Sequence, residues 1–288
     1  MFENARRLRR SARVARTGAR IYLGYKITER KVRKMPPDAA ATEWDRRHER
    51  FAESLYRLAV DLRGLYVKAG QFIGTRSDLL PVQYSRSLSR LQDQVPPRPV
   101  GQVRETIERE LGKPMAELFA SFDEVALAAA SLAQVHRATL HDGRDVAVKV
   151  QYPEVRALVR LDVRNLRTMV GIVARREPNF DFRAVVNEIA SQVPLEMDFV
   201  REAEMTQRIR LNLAEIPGVV IPRVIEGGYV SEKVLVTEFL EGARLLDAAR
   251  HHDLGADPAV LAEMIAGAYG HQIMVDGLFQ ADPHPGNI

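Results

Sequence analysis

The chain has no cysteine among its 288 residues, which excludes a thiolate nucleophile and a Cys-ligated zinc site. No apolar run approaches the ~18 residues that mark a membrane-spanning helix, and the first residues lack the apolar core of a signal peptide. Acidic side chains are scarce at the start. Residues 1–34 hold Glu3 and Glu29 against twelve Lys and Arg, a net +10. The remainder carries 30 basic and 36 acidic side chains, so the high isoelectric point belongs to the first segment. The body has no basic stripe of its own, which argues against nucleic acid as its ligand. Apolar (46%) and charged (28%) fractions are those of a globular chain, which excludes wholesale disorder and fibrous classes. The length suits one large or two modest domains.

Residues 1–34 read as a basic, partly amphipathic helix with Phe2, Ile21, Tyr22, Leu23 and Tyr25 on its apolar side. Three uses fit such a segment: a helix lying on an anionic membrane surface, a solvated basic tail, or an arm for nucleic acid. Met35-Pro36-Pro37 breaks the pattern. Residues 43–93 then read as helical, with Phe51, Leu55, Leu58, Leu62, Leu65 and Tyr66 at three- and four-residue spacing and a new helix starting near Pro81. Val95-Pro96-Pro97-Arg98-Pro99 is a rigid linker. A short helix over 99–111 ends at Gly112. Strands are predicted over 123–128, 134–140 and 145–151, the last two joined by the turn His141-Asp142-Gly143-Arg144, because Asp-Gly tolerates positive φ. Helices follow over 154–176 and 182–214, the second interrupted at Pro194. Two more strands are predicted over 219–225 and 233–239. A helix over 257–276 leads into a final loop. Five strands with helix between the third and fourth is the order of a protein-kinase small lobe.

Several motifs carry chemistry in that order. Val146-Ala147-Val148-Lys149 ends an apolar strand in one lysine, the kinase placement of an ammonium beside a phosphate site. Ala128-Ala129-Ala130-Ser131 lies where a kinase has its Gly-rich loop; three alanines make a stiffer loop. Glu196-Met197-Asp198 and Arg201-Glu202 fall on the helix that in kinases supplies the lysine's carboxylate partner, so Glu196 and Glu202 are both candidates. Asp198 and Glu202, four apart, share a face. Asp282 and Asn287 have the D-x-x-x-x-N spacing of a catalytic loop. Lys68 and Gln71, three apart in the leading helices, can act on one target, and the intervening Gly70 allows close packing.

Taken together, Lys68-Ala69-Gly70-Gln71 (a KxGQ motif), the alanine loop running into Leu132-Ala133-Gln134-Val135-His136, Val146–Pro153, Glu196-Met197-Asp198 (ExD) and Asp282–Asn287 resemble the UbiB/ADCK family of atypical protein-kinase-like proteins over roughly residues 50–288. The resemblance implies an α+β fold: a kinase-like small lobe with an N-terminal helical extension and an incomplete, helical large lobe. The expected segments are the basic stretch 1–34, a helical extension 35–119, the small lobe 120–242 and the start of the large lobe 243–288.

The resemblance also implies an ATP- and Mg-dependent ATPase or atypical kinase that supports isoprenoid-quinone (ubiquinone) biosynthesis. Lys149 would contact the α- and β-phosphates, with Glu202, or alternatively Glu196, as its partner. Ala128, Ala129, Ala130 and Ser131 would cover the nucleotide, and Glu238 to Leu240 would form the hinge near adenine. Asp282 would be the catalytic aspartate and Asn287 a Mg ligand. Lys68 and Gln71 with Glu196 and Asp198 would form a lid that restricts bulky substrates. Expected partners are an anionic membrane surface or isoprenoid lipid, quinone-biosynthesis proteins and a second copy of the chain, at the cytoplasmic face as a peripheral protein. No Asp-Phe-Gly follows Asn287, so the chain is expected to be the first part of a longer protein. The competing readings are a non-catalytic nucleotide- or lipid-binding module and a small-molecule phosphotransferase.

Overall fold

The computed structural model describes residues 2–75, 80–92, 97–177, 181–243, 245, 247 and 255–280. In chain order the elements are α1 (Phe2–Val32), α2 (Pro37–Leu62), α3 (Leu65–Thr75), α4 (Val82–Leu88), α5 (Val100–Leu111), α6 (Met115–Leu118), β1 (Ser121–Phe122), β2 (Ala128–Ala129), β3 (Ala133–Thr139), β4 (Asp145–Gln151), α7 (Val155–Arg176), α8 (Arg183–Glu196), α9 (Phe199–Asn212), β5 (Val234–Glu238) and α10 (Pro258–His271). The sheet runs β1-β3-β4-β5, with β2 also paired to β3. The chain forms two compact units. The first comprises Met1–Val103, Ala128–Gln134 and Gln151–Met197; the second comprises Arg104–Leu127, Val135–Val150 and Asp198–Ile288.

The first unit is built on α2. Pro37 sits at its first position, where a fixed φ suits a helix start and the missing N–H costs nothing. Its buried residues Phe51, Ala52, Leu58, Ala59 and Leu62 keep the helical period. With Val14 of α1, Tyr66 and Val67 of α3, and Tyr84, Leu88 and Leu91, they form one apolar cluster. The helical stretch expected over 43–93 is broken at Arg63-Gly64, where both residues have φ of 57°, and α4 begins after Pro81, where a new helix was expected. A second cluster joins Leu65 and Ala69 of α3 to Leu132, Tyr152, Val155, Val159, Ile189, Val193 and Met197.

The basic first segment is a packed element of this unit. Val14 and Thr28 of α1 are buried, Ile21 and Tyr25 pack against the first cluster, and Tyr22 donates to Glu177. A Cβ on Gly18 would lie 2.4 Å from Met169 Sδ, and one on Gly24 2.9 Å from Phe51 Cζ. Part of the apolar side expected to be open is therefore taken up by the fold; Leu23 stays exposed, as do Leu8 and Ile27.

In the second unit, β4 pairs antiparallel with β5 in the register Val148↔Val236 and Lys149↔Leu235. Val146, Val148 and Val150 are buried and the alternate residues Asp145, Ala147 and Lys149 are not, so the strand period turns Lys149 away from the core. Gly143, at φ 88°, closes the hairpin before β4. Two strand predictions change. The stretch 123–128 is interrupted: β1 and β2 flank it, and Asp123 and Leu127 N–H groups donate to Arg137 and Val135. The stretch 219–225 gives only the single bridge Val224↔Thr237, because Pro222 supplies no ladder N–H.

Candidate functional site

The site in the second unit begins with Lys149 on β4 and Glu202 in the first turn of α9. The lysine Nζ donates to both carboxylate oxygens of Glu202, at 2.6 and 2.7 Å, and lies 4.7 Å from the centre of the Phe199 ring. Phe199 is buried, so it fixes where the ammonium sits while the carboxylate fixes its direction. The two charged side chains are 34% and 37% exposed. At that exposure an ion pair adds at most ~1 kcal/mol to stability, and the ammonium remains accessible to an anion. Asp198 sets the start of α9: its Oδ1 accepts from the Arg201 N–H at 3.1 Å, an N-cap that places Glu202 one turn in. The helical stretch 182–214 thus breaks at Met197-Asp198. Pro194 lies inside the last turn of α8 and does not end it.

At the end of β5 the Glu238 N–H donates to the Arg223 carbonyl at 2.7 Å, and Glu238 Oε2 accepts from the Arg223 N–H at 3.3 Å. The Phe239 N–H donates to the Asp145 carbonyl at 3.1 Å, and Leu240 is exposed. The expected hinge is therefore tied to the sheet through its backbone.

The first unit holds the other predicted residues. Lys68 Nζ on α3 lies 3.0 Å from Glu196 Oε1 at the end of α8. The two glutamates that competed for Lys149 are thereby separated: Glu202 meets Lys149 and Glu196 meets Lys68. Gln71 Nε2 donates to the Leu91 carbonyl at 3.2 Å. Between Lys68 and Gln71, a Cβ on Gly70 would stand 2.4 Å from Leu91 Cδ1, so glycine lets α3 approach Leu91. The alanine loop closes on itself, with the Ala130 N–H donating to the Ala133 carbonyl at 2.8 Å. It is also held by Tyr152, whose hydroxyl donates to the Ala130 carbonyl at 3.0 Å and whose N–H donates to the Leu132 carbonyl. Burial pushes the Tyr152 phenol up to about 12, so it stays a donor. Ser131 is buried.

Sequence reasoning assigned no role to several residues that shape these parts. Gln134 accepts from the Arg98 N–H at 2.6 Å and donates to the Arg98 carbonyl, while the Arg98 guanidinium reaches Glu154 at 2.6 Å. Gln151 and Arg156 both donate to the Met197 carbonyl, at 3.1 and 2.8 Å, and so hold the end of the ExD segment. The signal was present: Gln134, Gln151 and Tyr152 stand inside motifs already quoted, but as polar residues in apolar runs they carry no charge pattern to mark them. Asp282 and Asn287 lie outside the described residues. Among the described residues there is no group of three or more His, Asp or Glu that could hold a metal, and no helix is long and apolar enough to cross a membrane.

Residues 90–288 match the ABC1 atypical kinase-like domain. The chain belongs to that family, the AarF/UbiB kinase-like proteins. Among relatives of this ABC1 family, "AarF domain-containing protein kinase 1" of Gallus gallus is 36% identical over 84% of this chain and 46% of its own length. An uncharacterized protein of Synechocystis is 38% identical over 84% of this chain and 42% of its own. A "probable serine/threonine-protein kinase" of Dictyostelium discoideum is 33% identical over 84% and 34%. The chain thus spans less than half the length of these ABC1 relatives. Among solved structures, the Rv3197–erythromycin complex of Mycobacterium tuberculosis is similar at a TM-score of 0.54 and 28% identity, over 88% of this chain and 63% of that one. The mixed helical and antiparallel-sheet fold is therefore that of the kinase-like ABC1 family.

Proposed function

We propose that this chain is the nucleotide-binding part of an ATP- and Mg-dependent atypical kinase or ATPase that supports isoprenoid-quinone biosynthesis at a membrane surface. The observation that carries the reading is the Lys149–Glu202 pair, an ammonium oriented by a bidentate carboxylate yet one-third exposed. The donor chemistry fits a phosphate: a positioned cation on one element and, elsewhere in the chain, a small-residue loop with its own hydrogen bonds. The nucleotide supplies a transferable terminal phosphoryl group when bound. Lys149 would neutralise its inner phosphates, while Glu202 orients the ammonium. By the family pattern, Ala128 to Ser131 would cover the phosphates and Glu238 to Leu240 would edge the base. By that pattern too, Asp282 would take the acceptor's proton and Asn287 would be a Mg ligand. By the same pattern, Lys68 and Gln71 with Glu196 and Asp198 would form a lid that limits acceptor size.

The quinone role rests on membership of the family, and the membrane role rests on the +10 segment, whose exposed arginines attract anionic headgroups. Titration of MgATP into the chain and into the Lys149→Ala variant tests the reading. Affinity should fall at least about tenfold, or ~1.4 kcal/mol, while the melting temperature barely moves. Equal affinity in both proteins would overturn the reading.

A further inference from the structure

A cavity of about 420 Å³ lies wholly within the first unit, against the N-terminal half of α1. Arg6, Arg9, Arg10 and Arg13 line it at helical positions i, i+3, i+4 and i+7, which is one face of α1. Arg63 and Arg98 line it from other elements. Like charges at this spacing repel, so the stripe needs counter-charge. Part of it is internal: Arg10 pairs with Asp162, Arg13 with Asp61 and Arg98 with Glu154. Arg6, Arg9 and Arg63 have no carboxylate partner among the described residues.

Arg63 supplies an independent observation. It is the only non-glycine residue with positive φ among the described residues. Its φ of 57° and ψ of −167° place it at the edge of a region reserved almost wholly for glycine. Gly64 follows, so a glycine could have served here at no strain. The Arg63 N–H donates to the Ala59 carbonyl and its own carbonyl accepts from Arg10, neither of which needs an arginine side chain, so the side chain beside the arginine-lined cavity is what a glycine there would lack. The cavity is of ligand size, and several arginines lining one space suit closely spaced phosphate oxygens.

We infer that this cavity is a second anion site, separate from Lys149, that takes a diphosphate-like group through Arg6, Arg9 and Arg63. Its lining includes Ser131 and Tyr152, and Tyr152 holds the alanine loop, so an occupied site touches residues that shape that loop. The group can come from a free small phosphate or from a lipid headgroup. Calorimetric titration of pyrophosphate into the full chain, at about 0.15 M salt to screen non-specific attraction, should show a saturable site that persists in Lys149→Ala. Arg63→Gly relieves the backbone strain, so its melting temperature should be unchanged or higher while pyrophosphate affinity falls about tenfold. Arg9→Glu should weaken binding at least as much, and Lys149→Ala should leave it intact. Competition by phosphatidic acid vesicles, absent with phosphatidylcholine alone, assigns the group to a lipid; no competition assigns it to a soluble phosphate. No saturable binding overturns the inference, as does binding that survives Arg63→Gly and Arg9→Glu or that vanishes in Lys149→Ala.

Discussion

Arg10 and Lys149 are both cations gripped by a bidentate carboxylate, and their surroundings give them opposite roles. Asp162 is fully buried and Arg10 nearly so; the guanidinium adds hydrogen bonds to the Leu62 and Arg63 carbonyls, which ties α1 to the end of α2 and to α7. Removing one partner of such a pair leaves an uncompensated buried charge, a loss of about 3–5 kcal/mol. Burial raises the Asp162 carboxyl above its ordinary value, and Arg10 opposes that rise. In Arg10→Ala the opposition disappears. The folded-state carboxyl then titrates higher than the unfolded one, so the folded state bears the cost of ionisation at high pH and is relieved of it once the carboxyl is protonated. Arg10→Ala should therefore be much less stable than the parent at pH 8, with the gap narrowing towards pH 5. Urea unfolding at the two pH values checks it; a gap independent of pH would contradict this account. The Lys149–Glu202 pair, open to solvent, should show no comparable stability effect.

Elements were legible where a strong local signal stood alone. Gly112 after α5, Pro81 before α4, and the Asp142-Gly143 turn before β4 each punctuate the chain where the sequence places them. Breaks made by tertiary contact were not. The Arg63-Gly64 joint depends on a strained arginine that no propensity would predict, and the α8–α9 joint lies three residues past the proline that was expected to make it. That joint is fixed by Asp198 as an N-cap and by Gln151 and Arg156 on the Met197 carbonyl. The expected pairing of Glu196 or Glu202 with Lys149 was undecidable by spacing, because both lie near one helix and only the break between them sends their side chains to different partners. If Asp198 serves the fold as a cap, Asp198→Ala should cost about 1 kcal/mol and Asp198→Asn only a few tenths, since asparagine caps as well. Thermal melts of the two variants make the comparison; equal losses would show that the carboxylate charge, and not the cap, is what α9 needs.

At the scale of the molecule, the motif order carried the family assignment because it survives drift in any one element, and the ABC1 kinase-like match over residues 90–288 covers most of the motifs that suggested it. The leading helices were harder to place. A 34-residue segment with twelve basic residues reads as a tail or a membrane helix, and only the buried Val14 and Thr28, the Gly18–Met169 approach and the Arg10–Asp162 bridge reveal it as part of a core. Deleting residues 1–34 should therefore lower the melting temperature of the chain by several degrees and expose the first unit to limited proteolysis. A truncated chain that melts unchanged would return the segment to the status of a tail. A vesicle-binding test of the basic segment is better made with charge reversals at exposed positions such as Arg9 than with the deletion.

The account rests on Lys149 and Glu202 forming a phosphate-binding pair. Its most direct test is the affinity of the chain for MgATP beside that of Lys149→Ala, with melting curves run on both. The predicted result is a loss of at least about tenfold in affinity with a melting temperature that barely moves, as expected for an ion pair one-third exposed. An ATP affinity unchanged by the substitution, in a protein that melts normally, would contradict it.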